Sequence, residues 1–269
     1  MKEYELERVA RNARESVLRM AHAAKDSHIG CSLSAVDILT ALYFLVLRVD
    51  PADPWHKARD RFILSKGHTA AALYAVLVER DFVSPSDLQG FAQNGSSMAS
   101  HVERGILPGV ETNGGSGGHG LSLGAGMALA CRQDGLDSRV YVLMGDGELQ
   151  EGSVWEAAMF ASSRNLAGLT LIIDRNEFQT WSRVDDVVAV EPLAAKFRSF
   201  GWRVSEVDGH CMDDLELALK STHPFMPHAI IAHTVKGRGV SFMEGSGLWH
   251  NGVLDDEQFG LALEELGYA

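Results

Sequence analysis

Two stretches decide the fold of this chain: VYVLMGDG at residues 140–147 and LTLIIDRN at residues 169–176. Each is a short apolar run, typical of a buried strand, that ends in polar residues. The first ends at Asp146 and the second, thirty residues further on, at Asn176. Carboxylate and carboxamide oxygens are hard ligands that suit a magnesium or calcium ion holding phosphates. The two strand ends therefore predict a metal and phosphate site, with an ordinary turn and loop cap as the structural alternative.

Strand-like runs alternate with helical patterns on both sides of these stretches. Further strands are predicted at 61–65, 203–207 and 229–232, and helices at 6–24, 34–47, from 69 onward, and at 121–131, 193–200 and 213–221. This alternation predicts an α/β fold: a parallel sheet with helices on both faces and ligands at the carboxyl ends of the strands. No long linker interrupts the pattern, so we expect a single domain over residues 1–269.

Three serines match the capping-box pattern, in which a serine at a helix start is followed three residues later by an acid or amide. Ser34, Ser86 and Ser153 meet this condition and predict helix starts at those positions. The acid that pairs with Ser153 is Glu156.

Composition restricts the class of protein. A formal net charge of −12 argues against nucleic acid or an anionic membrane as a partner. Cys31, Cys131 and Cys211 are widely spaced, which favours reduced thiols over a disulfide framework. The start of the chain has no apolar segment of the signal-peptide type, and the apolar run at 41–47 is too short to span a bilayer. We expect a soluble, cytoplasmic protein.

Two further segments carry candidate binding groups. Residues 65–68, SKGH, lie where a predicted strand gives way to a helix, whose free N–H groups and positive potential favour a diphosphate. His68 adds a possible hydrogen bond, although a histidine at a helix start often has no partner. Residues 114–120, GGSGGHG, run directly into a predicted helix of small residues. A flexible linker is the alternative interpretation of that composition.

These segments resemble the thiamine diphosphate signature, and their neighbours resemble transketolase. The match includes RDRFILSKGH at residues 59–68 and the Gly-Asp-Gly motif followed by Asn176. The resemblance implies that Asp146, Asn176 and the backbone carbonyl of Phe178 bind Mg²⁺ or Ca²⁺. It also implies thiamine diphosphate as the cofactor, with contacts from Ser65, His68, Gly115, Ser116, Gly117, Gly145, Asp146, Gly147, Glu148, Glu151, Glu156 and Asn176.

Glu151 and Glu156 have structural explanations as well. Capping accounts for Glu156, and Glu151 lies near the positive end of the same predicted helix. In transketolases, acids at these two positions join a chain of carboxylates that crosses between two cofactor sites. We expect that role for both.

Histidines at family positions predict the site of the donor sugar. His28 lies in a motif that resembles Ser-Gly-His-Pro-Gly, His101 in one that resembles His-Pro-Glu, and His250 in Trp-His-Gly with one residue inserted. Lys236 stands at the functional position of a Lys-Gly-x-Gly motif. The resemblance implies that these four residues are catalytic, whereas any single histidine is more often structural or exposed. Histidine suits a ketose hydroxyl that loses and regains a proton near neutral pH.

The chain departs from the family pattern in its loops. Gly117 stands where a leucine packs on the cofactor ring, and His119 stands for a glutamine. The prolines that follow the family's equivalents of His28 and His101 are absent. These changes indicate a different loop geometry and a sugar that differs from the ordinary substrates.

The spacing of histidines and cysteines predicts no zinc site. His223, His228 and His233 recur every five residues, so no single face of a helix or strand presents all three. The chain contains neither Cys-x-x-Cys nor His-Glu-x-x-His.

The resemblance covers only the pyrophosphate domain of a full-length transketolase. It implies a split enzyme, in which this chain is the amino-terminal subunit, whereas a second, carboxyl-terminal subunit supplies the pyrimidine domain in an α2β2 assembly. The expected reaction transfers a two-carbon ketol unit from a ketose or its phosphate to an aldose or its phosphate. Two alternatives stay open: a component of an enzyme like deoxyxylulose phosphate synthase or a 2-oxoacid dehydrogenase, and a non-catalytic binding or regulatory homologue.

Overall fold

The computed structural model of the chain describes residues 2–268. Its strands are β1 (Arg61–Leu64), β2 (Val140–Gly145), β3 (Leu169–Arg175), β4 (Phe178–Gln179), β5 (Ser182–Arg183), β6 (Arg203–Asp208) and β7 (His228–His233). Five of them form one sheet in the order β1-β2-β3-β7-β6, while β4 and β5 form a short antiparallel pair. Every neighbouring pair in the large sheet is parallel, so the carboxyl ends lie at one edge. The predicted α/β fold is confirmed.

Helices cover both faces of this sheet. They are α1 (Glu3–Ala24), α2 (Ile29–Ala41), α3 (Ala70–Glu79), α4 (Gly120–Gln133), α5 (Gly152–Ser163), α6 (Val184–Val187), α7 (Leu193–Ser199), α8 (Met212–Lys220) and α9 (Asp256–Glu265). Helices α1, α2, α3, α8 and α9 contribute to one hydrophobic core, and α4, α5 and α7 to the other. Sequence patterns did not predict α9, although Asp255 and Gln258 form a capping box at its start.

Strand β2 shows why its sequence is apolar at every position. Val140, Val142 and Met144 belong to the core of α4 and α5, whereas Tyr141 and Leu143 belong to the core of α1, α2 and α3. Side chains alternate across a strand, so a strand with helices on both faces needs apolar residues throughout. Each fully buried Val or Leu contributes about 1.5–3 kcal/mol, which fixes the register of the central strands.

Helix α2 is longer and more apolar than the sequence prediction. It continues through a π-helical turn, Leu42–Val46, and the stretch Ile29–Val46 is long and apolar enough to cross a membrane by length and composition alone. This corrects the expectation that the apolar run was limited to 41–47. Within the fold, 83% of the stretch is buried. A core helix passes the same test of length and composition, and α2 packs between α1 and α3.

The three serine-based helix starts are wrong in detail. Ser34 lies inside α2, where its hydroxyl donates to the carbonyl of Cys31 and to the Asp174 carboxylate. Ser84, not Ser86, caps the 3₁₀ helix Pro85–Gly90.

Ser153 also lies inside a helix, because α5 begins at Gly152, one residue before it. Its hydroxyl donates to the carbonyl of Gly118 at 3.1 Å. The capping explanation of Glu156 therefore fails. The serine hydroxyls of Ser34 and Ser153 are used for tertiary hydrogen bonds, which a local pattern does not detect.

Candidate active site

The carboxyl ends of β1, β2 and β3 open into a cavity of about 240 Å³. Most of the residues predicted for cofactor and metal binding line it. They are Ser65, His68, Gly115, Gly117, Gly145, Asp146, Gly147, Glu148, Glu151, Asn176 and Phe178, together with the predicted catalytic residue His250. The cavity lies where the loops after parallel strands meet, which is the usual position of a ligand site in an α/β sheet.

Asp146 and Asn176 follow paired positions of β2 and β3, and both are buried at the cavity wall. The Asp146 carboxylate accepts hydrogen bonds from the backbone N–H of Gly147 at 2.9 Å and of Glu177 at 2.6 Å. The side-chain oxygen of Asn176 accepts one from the N–H of Phe178 at 3.1 Å. These bonds fix the direction of both side chains.

Burial, together with the charge of Asp174, raises the pKa of Asp146 to about 7. Within residues 2–268, no lysine or arginine side chain forms an ion pair with Asp146. A buried carboxylate in this situation is stabilised by a bound cation. Because the carboxylate, the carboxamide and nearby carbonyl groups all offer oxygen atoms, the residues fit a magnesium ion bound with a diphosphate.

A fully buried ion pair, Lys66 with Asp174, supports this part of the site. The Asp174 carboxylate also accepts hydrogen bonds from Ser34 Oγ at 2.7 Å and from the Thr234 hydroxyl. Burial disfavours both charges, but their attraction is larger: the pKa of Asp174 is lowered and that of Lys66 is raised. The oxygens of Asp174 are thus occupied, which leaves Asp146 as the carboxylate that lines the cavity.

Glu148 marks a place where several donors converge on one anionic group. Its carboxylate accepts hydrogen bonds from the backbone N–H of Gly145 and of Gly118, both at 2.9 Å, and from Ser65 Oγ at 2.6 Å. Ser65 Oγ also accepts a bond from the N–H of Gly120, the first residue of α4. Converging N–H groups near a helix start bind anionic oxygens, so the segments that hold this carboxylate are suited to hold phosphate oxygens.

The glycine-rich segment is an ordered wall of the cavity and not a linker. A Cβ atom added at Gly67 would lie 2.4 Å from the backbone nitrogen of Gly115, and one added at Gly114 would lie 2.7 Å from the Cα of Gly67. The backbone of Gly114 also donates to the carbonyl of Val102 at 2.9 Å. Only glycine permits this close approach of the two loops. The linker interpretation is therefore wrong.

Four histidines from four segments form a cluster beside the cavity. The ring centroid of His28 lies 4.9 Å from that of His250, 5.3 Å from that of His68 and 5.8 Å from that of His101. The rings of His68 and His250 are 5.5 Å apart. The predicted donor-site histidines and His68 thus lie together, as the family resemblance implied for their positions.

Burial keeps the buried histidines of this cluster neutral. It lowers the pKa of His250 to about 4, aided by the charge of Lys236. It also lowers the pKa of His28, and lowers that of His68 well below its usual value, where Lys66 adds to the effect. Neutral imidazoles offer one nitrogen as acceptor and one as donor. The cluster is therefore equipped to exchange hydrogen bonds and protons with hydroxyl groups at neutral pH.

Backbone contacts hold the histidine segments together. His28 adopts the left-handed conformation, with φ of 65°, and its N–H donates to the carbonyl of His250 at 2.8 Å. The Gly237 N–H donates to the carbonyl of Gly30 at 2.9 Å. A non-glycine residue in this conformation is uncommon, and such backbone strain concentrates at functional sites.

The remaining predicted residues have different surroundings. Lys236 is fully buried and donates from Nζ to the carbonyl of Thr180 at 3.0 Å, so it supports a cavity-lining residue without lining the cavity itself. Ser116 is exposed and hydrogen-bonded to His119, and Glu156 is exposed on α5. Neither Ser116 nor Glu156 lines the cavity.

Four cavity-lining residues were not among the predicted site residues: Cys31, Lys66, Gln179 and Thr180. Cys31 and Lys66 belong to segments that the sequence analysis did single out, around His28 and His68. Gln179 and Thr180 belong to the hairpin of β4 and β5, which carries no motif. Adjacency to a motif was therefore the only available signal.

Fold and site together define an α/β domain that binds a phosphorylated cofactor at the carboxyl edge of its sheet. Residues 7–269 match the sequence model of the family described as "Transketolase, thiamine diphosphate binding domain". The chain belongs to the transketolase family and comprises this thiamine diphosphate-binding domain.

Individual relatives agree with this assignment. One of the two named subunits of the apulose-4-phosphate transketolase of Phocaeicola vulgatus is 42% identical over 265 residues, which are 97% of this chain and 93% of the relative. A 6-deoxy-6-sulfo-D-fructose transketolase subunit of a Clostridium species is 39% identical over 241 residues, 89% of this chain and 88% of that relative. The crystal structure of the Campylobacter jejuni transketolase superposes with a TM-score of 0.92 at 31% identity. That match covers 100% of this chain but 43% of the solved one.

Proposed function

We propose that this chain is the amino-terminal subunit of a split, thiamine diphosphate-dependent transketolase. The reaction is transfer of a two-carbon ketol unit from a ketose or its phosphate to an aldose or its phosphate. The observation that carries the proposal is the shared cavity, in which Asp146, Asn176 and the amide donors adjoin a cluster of neutral histidines. When bound, the cofactor supplies the carbanion chemistry of its C2 position.

In this proposal, Asp146, Asn176 and the carbonyl of Phe178 hold a magnesium or calcium ion. Support comes from the burial of Asp146, its raised pKa and the oxygen-only donor set. The backbone N–H groups of Gly118 and Gly145 and the hydroxyl of Ser65 bind diphosphate oxygens. Glu148, which accepts bonds from these donors in the structure, then moves to another partner.

His28, His101 and His250 contact the donor sugar, and His68 links this cluster to the cofactor side of the cavity. A neutral imidazole accepts the proton of a ketose hydroxyl at one ring nitrogen and donates a hydrogen bond from the other. Lys236 acts as a positioning residue, since its buried Nζ holds the carbonyl of Thr180 at the cavity wall. Glu151 and Glu156 join carboxylates that connect two cofactor sites.

The sugar is proposed only as a class. The two relatives that match over most of their length are named for apulose-4-phosphate and for 6-deoxy-6-sulfo-D-fructose. Their names differ in the sugar and agree in the reaction. The missing prolines next to His28 and His101 support a donor other than the ordinary pentose phosphates.

The partner is proposed to be a separate carboxyl-terminal subunit that carries the pyrimidine domain, in an α2β2 assembly. Support comes from the Phocaeicola relative, which is named as one subunit of its transketolase and matches this chain over 93% of its own length. A single-chain transketolase of the Campylobacter type is more than twice as long as the matched region. We also propose a cytoplasmic location, because Cys31, Cys131 and Cys211 are free thiols.

The test is a reconstitution assay. The chain, the product of the neighbouring transketolase-like reading frame, thiamine diphosphate and Mg²⁺ are mixed, and ketol transfer is measured with xylulose 5-phosphate, apulose 4-phosphate and 6-deoxy-6-sulfofructose as donors. Activity that needs both polypeptides supports the proposal. Full activity of this chain alone would refute a split enzyme, and cofactor binding without transfer from any donor would favour another thiamine diphosphate reaction.

A further inference from the structure

Cys31 brings a sulfur atom into the histidine cluster. Its Sγ lies 3.1 Å from Nδ1 of His250. One ring nitrogen of His68 completes the group, so that the three potential ligand atoms all lie within 4.8 Å of one another. Cys31 is buried at the start of α2, His68 lies in the 3₁₀ turn Gly67–Thr69 after β1, and His250 ends the 3₁₀ helix Gly247–His250.

We propose that Cys31, His68 and His250 form a three-ligand site for a zinc ion. One thiolate and two imidazoles are the ligand types of three-ligand zinc sites, which keep their fourth position for water or substrate. Here all three residues line the cavity, so the fourth position faces its interior. The site is separate in chemistry from the Asp146 and Asn176 pair, because magnesium prefers oxygen atoms and zinc accepts sulfur and nitrogen.

The spacing of the ligand atoms fits this ion. With Zn–S near 2.3 Å and Zn–N near 2.0–2.1 Å, tetrahedral geometry separates two ligand atoms by roughly 3.3–3.6 Å. The separation of Cys31 Sγ and His250 Nδ1 is close to that range, and the 4.8 Å limit on the other pairs requires shifts on the order of 1 Å. On binding, the Cys31 thiol loses its proton to solvent and forms the Zn–S bond.

The surrounding charges permit a cation. Lys66, the donor to the Cys31 carbonyl, is neutralised by Asp174. Burial lowers the pKa of Lys236, the other lysine near Cys31, which reduces its repulsion of a second cation. Both histidines are neutral, with a lone pair free for a metal.

The consequence for activity rests on the proposed function. His250 is assigned there to the donor sugar, and His68 lies between it and the cofactor. A zinc ion on these two imidazoles removes their lone pairs from the reaction and occupies cavity volume. The proposal therefore makes the site inhibitory: zinc and the donor ketose compete for the same side chains.

The first experiment uses the chain alone, without cofactor or partner, so that its result is independent of transketolase activity. Co²⁺ serves as the spectroscopic probe, because a thiolate ligand adds a sulfur-to-cobalt charge-transfer band in the near ultraviolet. We expect this band in the unmodified chain, and expect Zn²⁺ to displace it. Cys31→Ser abolishes the band and weakens Zn²⁺ binding by about 100-fold or more, since loss of an outer-shell partner alone costs about 10–100-fold.

Cys131→Ser and Cys211→Ser are the matched controls, because these cysteines lie outside the cavity. Both variants keep the band. An unchanged band in Cys31→Ser would overturn the proposal. X-ray absorption of the zinc-loaded unmodified chain gives a test that needs no variant: one sulfur and two imidazole nitrogens are expected in the first shell, and a shell of oxygen and nitrogen alone refutes the site.

The second experiment tests inhibition in the reconstituted enzyme at saturating Mg²⁺. Each enzyme is compared with its own zinc-free rate. Cys31→Ser is expected to need at least about 10-fold more Zn²⁺ for half-inhibition than the Cys131→Ser control. Equal sensitivity of the two variants contradicts the inhibitory role.

Discussion

At the scale of single residues, function depends on a few buried polar groups whose partners are all fixed. Asp146 carries the clearest signal, since its carboxylate is buried, oriented by two N–H groups and raised in pKa to about 7. The Lys66–Asp174 pair shows the opposite condition, in which each charge is satisfied within the protein. The first arrangement is suited to bind a ligand and the second to support the structure.

Loss of a metal-binding oxygen should weaken cofactor binding. Asp146→Ala and Asn176→Ala are expected to lower the affinity of the reconstituted enzyme for thiamine diphosphate with Mg²⁺ by about 100-fold or more, because even outer-shell changes cost about 10–100-fold. Isothermal titration measures the effect. Asp186→Asn, an exposed acid on α6, is the control. Equal affinities in all three variants would rule out the metal assignment.

A buried histidine away from the site makes stability depend on pH. Burial, with the charge of Arg203, lowers the pKa of His228 to about 4, while the unfolded chain titrates near 6.5. The unfolded state therefore binds more protons between these values, and stability falls as the pH falls. From pH 7 to pH 5, His228 should remove about 2 kcal/mol from the free energy of unfolding.

Urea unfolding at both pH values measures this loss. His228→Gln, which retains a partner for the Ser205 hydroxyl, is expected to lose about 2 kcal/mol less than the unmodified chain on acidification. His56→Gln changes an exposed histidine and serves as the control. A variant with the same pH dependence as the unmodified chain would show that His228 is not the group responsible.

At the scale of elements, loops after parallel strands are brought together by glycine contacts and by helix packing. Helix α4 illustrates both faces of this requirement. Gly124 lies against β2, where an added Cβ would be 2.5 Å from Val142 Cγ2, whereas Gly126 is exposed and has no atom within 4 Å of that position. One glycine is required for packing and the other is not.

The two glycines should respond in opposite directions to alanine. Gly124→Ala is expected to destabilise the chain by about 1–3 kcal/mol, because the added methyl overpacks the contact with β2. Gly126→Ala should stabilise it by about 0.5–1 kcal/mol through the higher helix propensity of alanine. Urea unfolding gives both values. Finding Gly124→Ala at least as stable as Gly126→Ala would contradict the packing of α4 described here.

At the scale of the whole molecule, the chain provides the diphosphate end of a cofactor site and the proposed partner provides the rest. The parallel sheet places Asp146, Asn176 and the histidine cluster at one edge. A ligand that binds only the folded assembly must stabilise it by mass action. The assembled state is therefore the right object for measurements of cofactor binding.

Thiamine diphosphate with Mg²⁺ should raise the melting temperature of the assembled enzyme. At 100 times the dissociation constant the gain is about 2.7 kcal/mol, or roughly 5–10 °C for a domain of this size. Differential scanning fluorimetry measures the shift, and thiamine without its diphosphate at the same concentration is the control. An absent shift would support a non-catalytic homologue.

Much of this could be predicted from the sequence, because its signals are local. Unbroken apolar runs indicated the central strands, and helical spacing indicated most helices. The polar residues at the ends of β2 and β3 and the SKGH motif after β1 indicated the cavity wall. The errors were local too: Ser34 and Ser153 fit a capping pattern, yet their hydroxyls bond to distant segments. Short elements such as β4 and β5 have no periodicity to detect.

The sequence by itself determined the α/β fold, the family and the strand ends that carry Asp146 and Asn176, since these depend on residues close together in the chain. Only the tertiary structure decided which side chains meet. It joined four histidines from four segments, placed Cys31 among them, and left Glu156 on an exposed face of α5. The physical reason is that burial and long-range packing set those distances and pKa values, and neither is written in local spacing.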